Sequence, residues 1–343
     1  MATYLDHCAE VLPRDAVRAE WLRVRRQGVG GSDCSAVMGM AGKYGSPYTV
    51  WEDKTCRAPE IDESEAMLWG NLLEPVIRAE AMHRLGLTFT LPGMLRSLEN
   101  PWQQTNLDGY ASDGGIIECK NTGQWMAADW DGQVPDHAEL QCQHNMAVTG
   151  APHAWVAGLV GGNRLKIARV ERDEDLIADI IAEESRLWHE HVLTDTPPPA
   201  DPSEATKAAL MRRFGLDDRT IALDDLDDSA ELLRALGLAE QWQAAHAQEA
   251  AGKGARLRAE SALRLIMGGA NRATVAGKTI AKITGGGWAP KQFETAHPDI
   301  AALYRKKIDV LDSHALRKER PELWRKFQSQ VFRAVPYISD TEG

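Results

Sequence analysis

The sequence predicts an α/β fold, with a mixed central sheet flanked by helices, followed by a mainly helical C-terminal module. Three observations point there. Helical and extended runs follow one another as helix, three strands, helix, strand, an order that suits a mixed sheet packed between helices. Thr196-Pro197-Pro198-Pro199 makes a stiff stop after that pattern. The 343 residues, 43% of them hydrophobic, can supply one full-sized core and a second module. The expected division is 1–195 for the α/β domain, 196–228 for a linker and acidic connector, and 229–343 for a helical arm with a small hairpin-containing module.

Ala16 to Arg26 reads as a helix, and a glycine-rich turn leads into another from about Ser32 to Met40. Pro47 to Lys54 is a further short helix. Ser64 to Leu85 is helical but must bend, because Pro75 has no amide hydrogen and crowds the preceding turn. Gly93 to Leu98, Thr105 to Ala111, Ile116 to Asn121, Ala154 to Leu159 and Leu165 to Glu171 are strand candidates; Pro135 to Val148 and Glu174 to Leu193 are helices. In the second module Glu204 to Phe214 is helical. Asp217 to Asp228 is an acidic connector, and Ala230 to Met267 is a long helical stretch interrupted at Gly252-Lys253-Gly254. Arg272 to Thr284 alternates and reads as a hairpin around Ala276-Gly277.

Composition excludes several classes. The cysteines (Cys8, Cys34, Cys56, Cys119, Cys142) are odd in number and widely spaced, which supports neither a disulfide framework nor a zinc site. No apolar run is long enough to span a bilayer, and Met1 leads into a polar segment without a signal-peptide pattern, so a cytoplasmic protein is expected. The net charge of −11 speaks against a simple nucleic-acid-binding surface. It weighs less for an enzyme whose acidic groups hold cations, because bound metal reverses the local sign and a channel needs only a local basic lining. The stretch from Tyr304 to Arg333 carries nine Lys and Arg against four acidic residues, so the C-terminal end is the cationic pole.

The most informative stretch runs from Asn106 to Lys120. Two extended arms flank Ser112-Asp113-Gly114-Gly115, which is turn chemistry. Residues two apart on a strand share a face, so Glu118 and Lys120 point the same way. The turn decides whether Asp108 joins them. A two-residue Asp113-Gly114 loop sets Asp108 opposite Cys119, on the wrong face. A three-residue Ser112-Asp113-Gly114 loop with Gly114 left-handed sets Asp108 opposite Glu118, and this second register is the prediction. Ile116 and Ile117 lead into the charged end, which reads as a buried strand with a polar tip. Such a cluster is costly without a ligand, whereas two carboxylates beside an amine can hold a hard divalent cation and activate a water.

The spacing Asp108-x9-Glu118-x-Lys120 resembles the PD-(D/E)XK nuclease signature. Arg26-Gln27-Gly28-Val29-Gly30-Gly31-Ser32-Asp33, Trp69-Gly70-Asn71-Leu72-Leu73-Glu74-Pro75 and the helix Leu140-Gln141-Cys142-Gln143-His144-Asn145-Met146-Ala147-Val148-Thr149-Gly150 are similar, in that order, to blocks of the YqaJ-like viral recombinase family, which includes lambda exonuclease. The resemblance covers about Arg23 to Leu193, and Lys291 to Lys306 resembles a Phe-x-x-x-His-Pro segment of longer phage relatives. It implies a PD-(D/E)XK, restriction-endonuclease-like core. The implied activity is Mg²⁺-dependent 5′-to-3′ digestion of double-stranded DNA ends, with Mn²⁺ able to substitute. The product is a 3′ single strand handed to a single-strand annealing protein, and the implied assembly is a homo-oligomer, a trimer, in a bacterial host carrying phage or prophage genes.

The resemblance also implies roles. Asp108, Glu118 and the Cys119 backbone carbonyl would hold the metal, with Glu74 completing the acidic cluster, directly or through water. Lys120 would orient and help deprotonate the attacking water, or offset charge building on the phosphate. Gln141, chosen over Gln143 by family position, would bind the water or the phosphate. Two positions apart on a helix face different sides, so only one of those glutamines can enter the site. Gly30 and Gly31 would let backbone amides curl around a 5′-phosphate, with Ser32 and Arg26 finishing the pocket; Arg25 is the alternative arginine. Asp113 is expected to serve the turn. Trp51 and Trp69 are expected in the core, Trp125 and Trp130 in a loop where stacking on DNA is conceivable, and His137, His144 and His153 as structural residues outside any ligand-type cluster. Two other functions remain open: a DNA endonuclease using the same site, and a non-catalytic DNA-binding or annealing scaffold.

Overall fold

A computed structural model describes residues 6–59, 64–215, 220–223, 229–283, 295–303 and 313–322. The acidic connector and the cationic C-terminal stretch lie largely outside these residues, and the Lys291–Lys306 segment lies partly outside them. The chain forms two compact units, Met1–Phe214 and Gly215–Gly343. The Pro197–Pro199 stretch therefore falls inside the first unit, whose last helix is Glu204–Phe214.

The first unit contains β1 (Cys8–Leu12), α1 (Arg18–Arg25), β2 (Val29–Gly30), α2 (Gly31–Val37), α3 (Pro47–Lys54) and α4 (Glu65–Leu85). There follow β3 (Phe89–Thr90), β4 (Met94–Ser97), β5 (Gln103–Asn106), β6 (Gly109–Ala111), β7 (Ile116–Thr122), a 3-10 segment at Gln124–Trp130 and α5 (Asp136–Thr149). β8 (His153–Val160), β9 (Arg164–Glu171), α6 (Glu174–Arg186) and α7 (Glu204–Phe214) complete it, with a π-helical turn at Leu187–Val192.

The expected mixed sheet flanked by helices forms, and a second, smaller mixed sheet forms in addition. The larger has the order β3-β6-β7-β8-β9, parallel only between β7 and β8. The smaller has the order β1-β4-β5-β2, parallel only between β2 and β5. The division falls inside Thr105–Ala111, read from sequence as one strand. β5 pairs with β4 up to Asn106, the chain steps through Leu107-Asp108, and β6 pairs with β7 from Gly109. Alternation along a run reports which side chains are buried, but the same pattern persists when the backbone changes partners. Strands β1, β2 and β3 are absent from the sequence-based expectation; β2 and β3 have two residues each, too few to carry a period.

The larger sheet is covered on both faces. Ile116, Ala154 and Val156 join Cys142 and Met146 of α5 in one core cluster. Ile117 and Ala157 join Ile77, Ala81 and Met82 of α4 in another. Ile116 and Ile117 are fully buried on opposite faces, and each such side chain stabilises the fold by about 1.5–3 kcal/mol through burial. The same alternation puts Glu118 and Lys120 on the α5 face. α4 continues through Pro75, and its C-terminus is closed by Gly86 at φ +68°.

In the second unit α8 runs unbroken over Ser229–Met267. The expected interruption at Gly252-Lys253-Gly254 is absent. Each glycine costs a helix only about 1 kcal/mol, and the surrounding Ala, Leu, Arg and Gln residues outweigh that, helped by a Lys253–Glu249 ion pair one turn apart. β10 (Arg272–Val275) and β11 (Lys278–Lys282) form the expected hairpin. Ala276 and Gly277 both have positive φ, 48° and 76°, as a tight two-residue turn requires. Two short helices follow, α9 (Pro298–Leu303) and α10 (Ser313–Glu319).

Candidate active site

The hairpin has the predicted register. Gly109 pairs with Ile117 and Tyr110 with Ile116, which continues to Asp108 opposite Glu118. The Ala111 N–H donates to the Gly115 carbonyl at 2.8 Å, closing a three-residue loop with Gly114 at φ +90°. Asp113 pins this turn: it accepts from the Gly115 N–H at 3.1 Å and the Trp155 indole N–H at 2.9 Å, and His153 Nε2 lies 3.1 Å away. Asp113 and His153 are thus structural, as expected.

Around the hairpin tip the acidic groups converge. Glu118 is buried and pairs through Oε1 with Lys120 Nζ at 2.7 Å. Lys120 Nζ also donates to Gln141 Oε1 at 2.7 Å. Asp108 Oδ2 accepts from the Cys119 N–H at 2.7 Å. Glu74 reaches in from α4, and its Oε1 takes Arg78 Nη1 at 2.7 Å and Arg14 Nη2 at 3.5 Å. Glu74 Oε2 and Asp108 Oδ1 have no donor among the described residues. Gln143 turns the other way, bonded to the Glu171 carbonyl and the Asp173 N–H. Helix geometry thus separates the two glutamines, and Gln141 is the one that enters.

The electrostatics of this cluster are strained. Burial, then repulsion from Glu118 and Glu74, hold the Asp108 carboxyl well above its usual range. Burial also raises Glu118, against the pull of Lys120. Burial works against the charge on Lys120 as well, but its pairing with Glu118 prevails and raises it. Lys120 is thus a cation here. Asp108 has no cation bonded to it, so two of its acidic neighbours repel a group held only by one backbone N–H. A divalent cation would relieve that repulsion, and hard oxygen donors of this kind suit Mg²⁺ or Mn²⁺.

In the glycine loop Gly30 is extended, at φ −103°, and caps α2, which Gly31 opens. A Cβ on Gly31 would collide with Asn145 Oδ1, and one on Gly28 would lie 2.7 Å from the Trp102 carbonyl, so these glycines serve close packing. The Asp33 carboxylate accepts the Gly30 N–H at 3.0 Å. Arg25 rather than Arg26 faces the loop: its guanidinium binds Asp33 at 2.7 Å and Asp53 at 2.6 Å and lies 3.5 Å from Ser32 Oγ. Arg26 turns to Asp53 at 3.4 Å. Asp33 is buried, which alone would raise it, but Lys54 and Arg25 hold its carboxyl far below the usual range.

Three groups near the hairpin were not foreseen. Asn145 lies one turn after Gln141, accepts from Thr105 Oγ1 at 2.7 Å, and reaches 3.5 Å from Glu118 Oε2. Arg78 lies one turn after Glu74, and Arg14 precedes α1. The i+4 spacing from Gln141 and Glu74 was the available signal for the first two; nothing local marks Arg14.

His144 does cluster, contrary to expectation. It lies with Cys34 and Glu184 in a fully buried group whose ligand atoms fall within 4.8 Å of one another. His144 Nδ1 is 2.7 Å from Glu184 Oε1, its Nε2 is 3.0 Å from the Gln104 carbonyl, and Gln103 Nε2 donates to Glu184 Oε2 at 2.8 Å. Burial opposes a charge on His144, but Glu184 outweighs it and raises the imidazole. Of the tryptophans, Trp51 is buried and Trp130 packs in the core over Gly158, whereas Trp69 is half-exposed and Trp125 stands 86% exposed. A cavity of about 720 Å³ lies on the Gln143 side, lined by Asp136, Glu139, Arg169 and Glu171 among others, and none of the acid-cluster residues lines it.

Among known proteins, residues 20–152 match the model of the YqaJ-like viral recombinase domain. A Bacillus subtilis (strain 168) protein described as uncharacterized protein YqaJ is 34% identical over 224 residues, covering 63% of this chain and 70% of that one. The crystal structure of an alkaline exonuclease from Laribacter hongkongensis is 26% identical with a TM-score of 0.46, over 52% of this chain and 93% of that one. A phage related exonuclease from Haemophilus somnus 129PT is 14% identical with a TM-score of 0.40, over 51% and 99% respectively.

Proposed function

The chain belongs to the YqaJ-like viral recombinase family, and from that premise we propose that it is a divalent-metal-dependent DNA nuclease, a 5′-to-3′ exonuclease on double-stranded ends. The observation that carries the reading is the convergence of Glu74, Asp108 and Glu118 beside Lys120, with carboxylate oxygens left free. Asp108, Glu118 and the Cys119 carbonyl would hold Mg²⁺ or Mn²⁺, and Glu74 would complete the set. The ion, when bound, lowers the pKa of a coordinated water and offsets charge on the phosphate. Lys120 stays protonated against Glu118 and donates to the phosphate oxygen on which charge accumulates. Gln141, tied to Lys120, orients the water. Arg25 and Ser32 contact the 5′-phosphate through donors that Asp33 and Asp53 leave free. The 3′ strand so exposed is the substrate of a single-strand annealing protein. A homo-oligomer, a trimer by family likeness, surrounds the DNA, in the cytoplasm of a bacterial host. The metal-site residues all lie within 1–195, and residues 229–343 act as an accessory module.

An endonuclease would use the same metal site, and a scaffold would need none. Incubation with Mg²⁺ and linear 5′-phosphorylated, linear 5′-hydroxyl or circular DNA separates the three. Loss of phosphorylated ends alone supports the exonuclease. Cleaved circles point to the endonuclease, and no digestion of any substrate leaves only the scaffold. Lys120→Ala is expected to keep DNA binding and lower turnover by about 10²–10⁴-fold.

A further inference from the structure

Two arginines converge on one spot from different parts of the chain. Arg78, on α4, donates through Nη1 both to Glu74 Oε1 and to the backbone carbonyl of Asp108, each at 2.7 Å. Arg14, in the segment between β1 and α1, places Nη2 3.5 Å from the same Glu74 oxygen and donates through Nη1 to the carbonyl of Leu107 at 3.1 Å. The two carbonyls are consecutive. They belong to the step at which the chain leaves the smaller sheet and enters the larger one, where neither ladder holds the backbone.

We propose that Arg78 and Arg14 are positioning residues for the metal site: together they clamp the Leu107-Asp108 step to Glu74, so that Asp108 and Glu74 present their free oxygens to one ion. The inference rests on the metal-site reading above and extends it to residues outside the ligand set. Both arginines spend themselves on Glu74 Oε1, which leaves Oε2 open, and both reach the main chain of the Asp108 segment, which leaves the Asp108 carboxylate open. Arg78 has a side chain only 6% exposed and packs over the Phe89 ring, so it is itself held in place. Its buried Nε has no partner among the described residues, so the guanidinium is held through Nη1 and its packing. Partners of metal-ligand groups tune affinity by fixing ligand orientation.

Charge-conserving substitutions separate geometry from long-range attraction. Arg78→Lys and Arg14→Lys keep the positive charge but replace a planar fork by a compact ammonium. Mn²⁺ binding to the full chain is measured by electron paramagnetic resonance, with turnover on linear DNA measured across Mn²⁺ concentration. For Arg78→Lys the expected result is Mn²⁺ affinity about 10–100-fold weaker, with turnover recovering toward wild type at saturating Mn²⁺. Arg14→Lys should show a smaller loss in the same direction, and it stands in if Arg78→Lys does not fold. Unchanged Mn²⁺ affinity in the folded variants overturns the clamp and leaves the nuclease reading intact. Turnover that stays low at saturating Mn²⁺ with unchanged affinity does the same. Absence of Mn²⁺ binding by the wild-type chain removes the nuclease reading and the clamp with it.

Discussion

α5 carries two buried polar clusters, and they have opposite characters. Through Gln141 and Asn145 it touches the Glu118 cluster; through His144 it touches the Cys34–Glu184 cluster. Each contains a buried glutamate and could be taken for a metal site. In the second, both Glu184 oxygens and both His144 nitrogens have partners inside the protein, and the ion pair is self-sufficient. In the first, Asp108 faces two other carboxylates with one backbone N–H as its bond, and its proton affinity rises accordingly. A closed cluster fastens helices together. An open one stores repulsion that a cation relieves. Residue type alone does not distinguish them; the count of satisfied atoms does.

The comparison can be broken at several points. Asp108→Asn or Glu118→Gln should lower cleavage by about 10³-fold, the scale on which losing a charge-stabilising group is felt, while the fold persists. A variant with near wild-type turnover would show that the open cluster is not the metal site. On the closed side, Glu184→Gln leaves a buried His144 without its counter-charge and should destabilise the protein by about 3–5 kcal/mol. Denaturant melts would show it, and turnover per folded molecule should be retained; a selective loss of activity would mean that this cluster is functional. Mg²⁺ at about 100 times its dissociation constant should stabilise the wild-type chain by about 2.7 kcal/mol and Asp108→Asn far less. Equal stabilisation of both proteins would move the ion elsewhere.

The smallest effect is on pH dependence, and its sign is set by direction of shift. Asp108 and Glu118 bind protons more tightly when folded than when unfolded. Their contribution to stability is therefore lost as pH rises from the ordinary carboxylate range through their folded values. Asp33 has the opposite shift, so its contribution is present above the ordinary carboxylate range and is lost in acid. In a chelator, wild type should lose stability with rising pH relative to Asp108→Asn. Parallel curves would mean that Asp108 and its neighbours do not repel.

The hairpin was readable because its determinants are local. Turn residues and a period of two suffice to choose between registers, and the choice put Asp108 opposite Glu118. The glutamine pair was readable because residues two apart on a helix diverge. Arg25 against Arg26 was not, because both follow one another at the end of α1 and only the position of Asp53 on α3 and Asp33 on α2 separates them. The close packing of Gly31 against Asn145 on α5 and of Gly28 against the Trp102 carbonyl was not legible either, because those neighbours are far away in sequence.

By itself the amino-acid order determined the helices, the hairpin, its charged set of Asp108, Glu118 and Lys120, and the family likeness, since periodicity, turn chemistry and motif spacing all act over a few residues. Tertiary structure alone decided where one run of strand splits between two sheets, which arginine meets the loop, how Arg14 and Arg78 reach Glu74, and why Glu184 is content without a ligand while Asp108 is not. Those outcomes depend on which groups from distant segments complete one another's hydrogen bonds and charges in a low-dielectric interior, and that accounting exists only once the chain has folded.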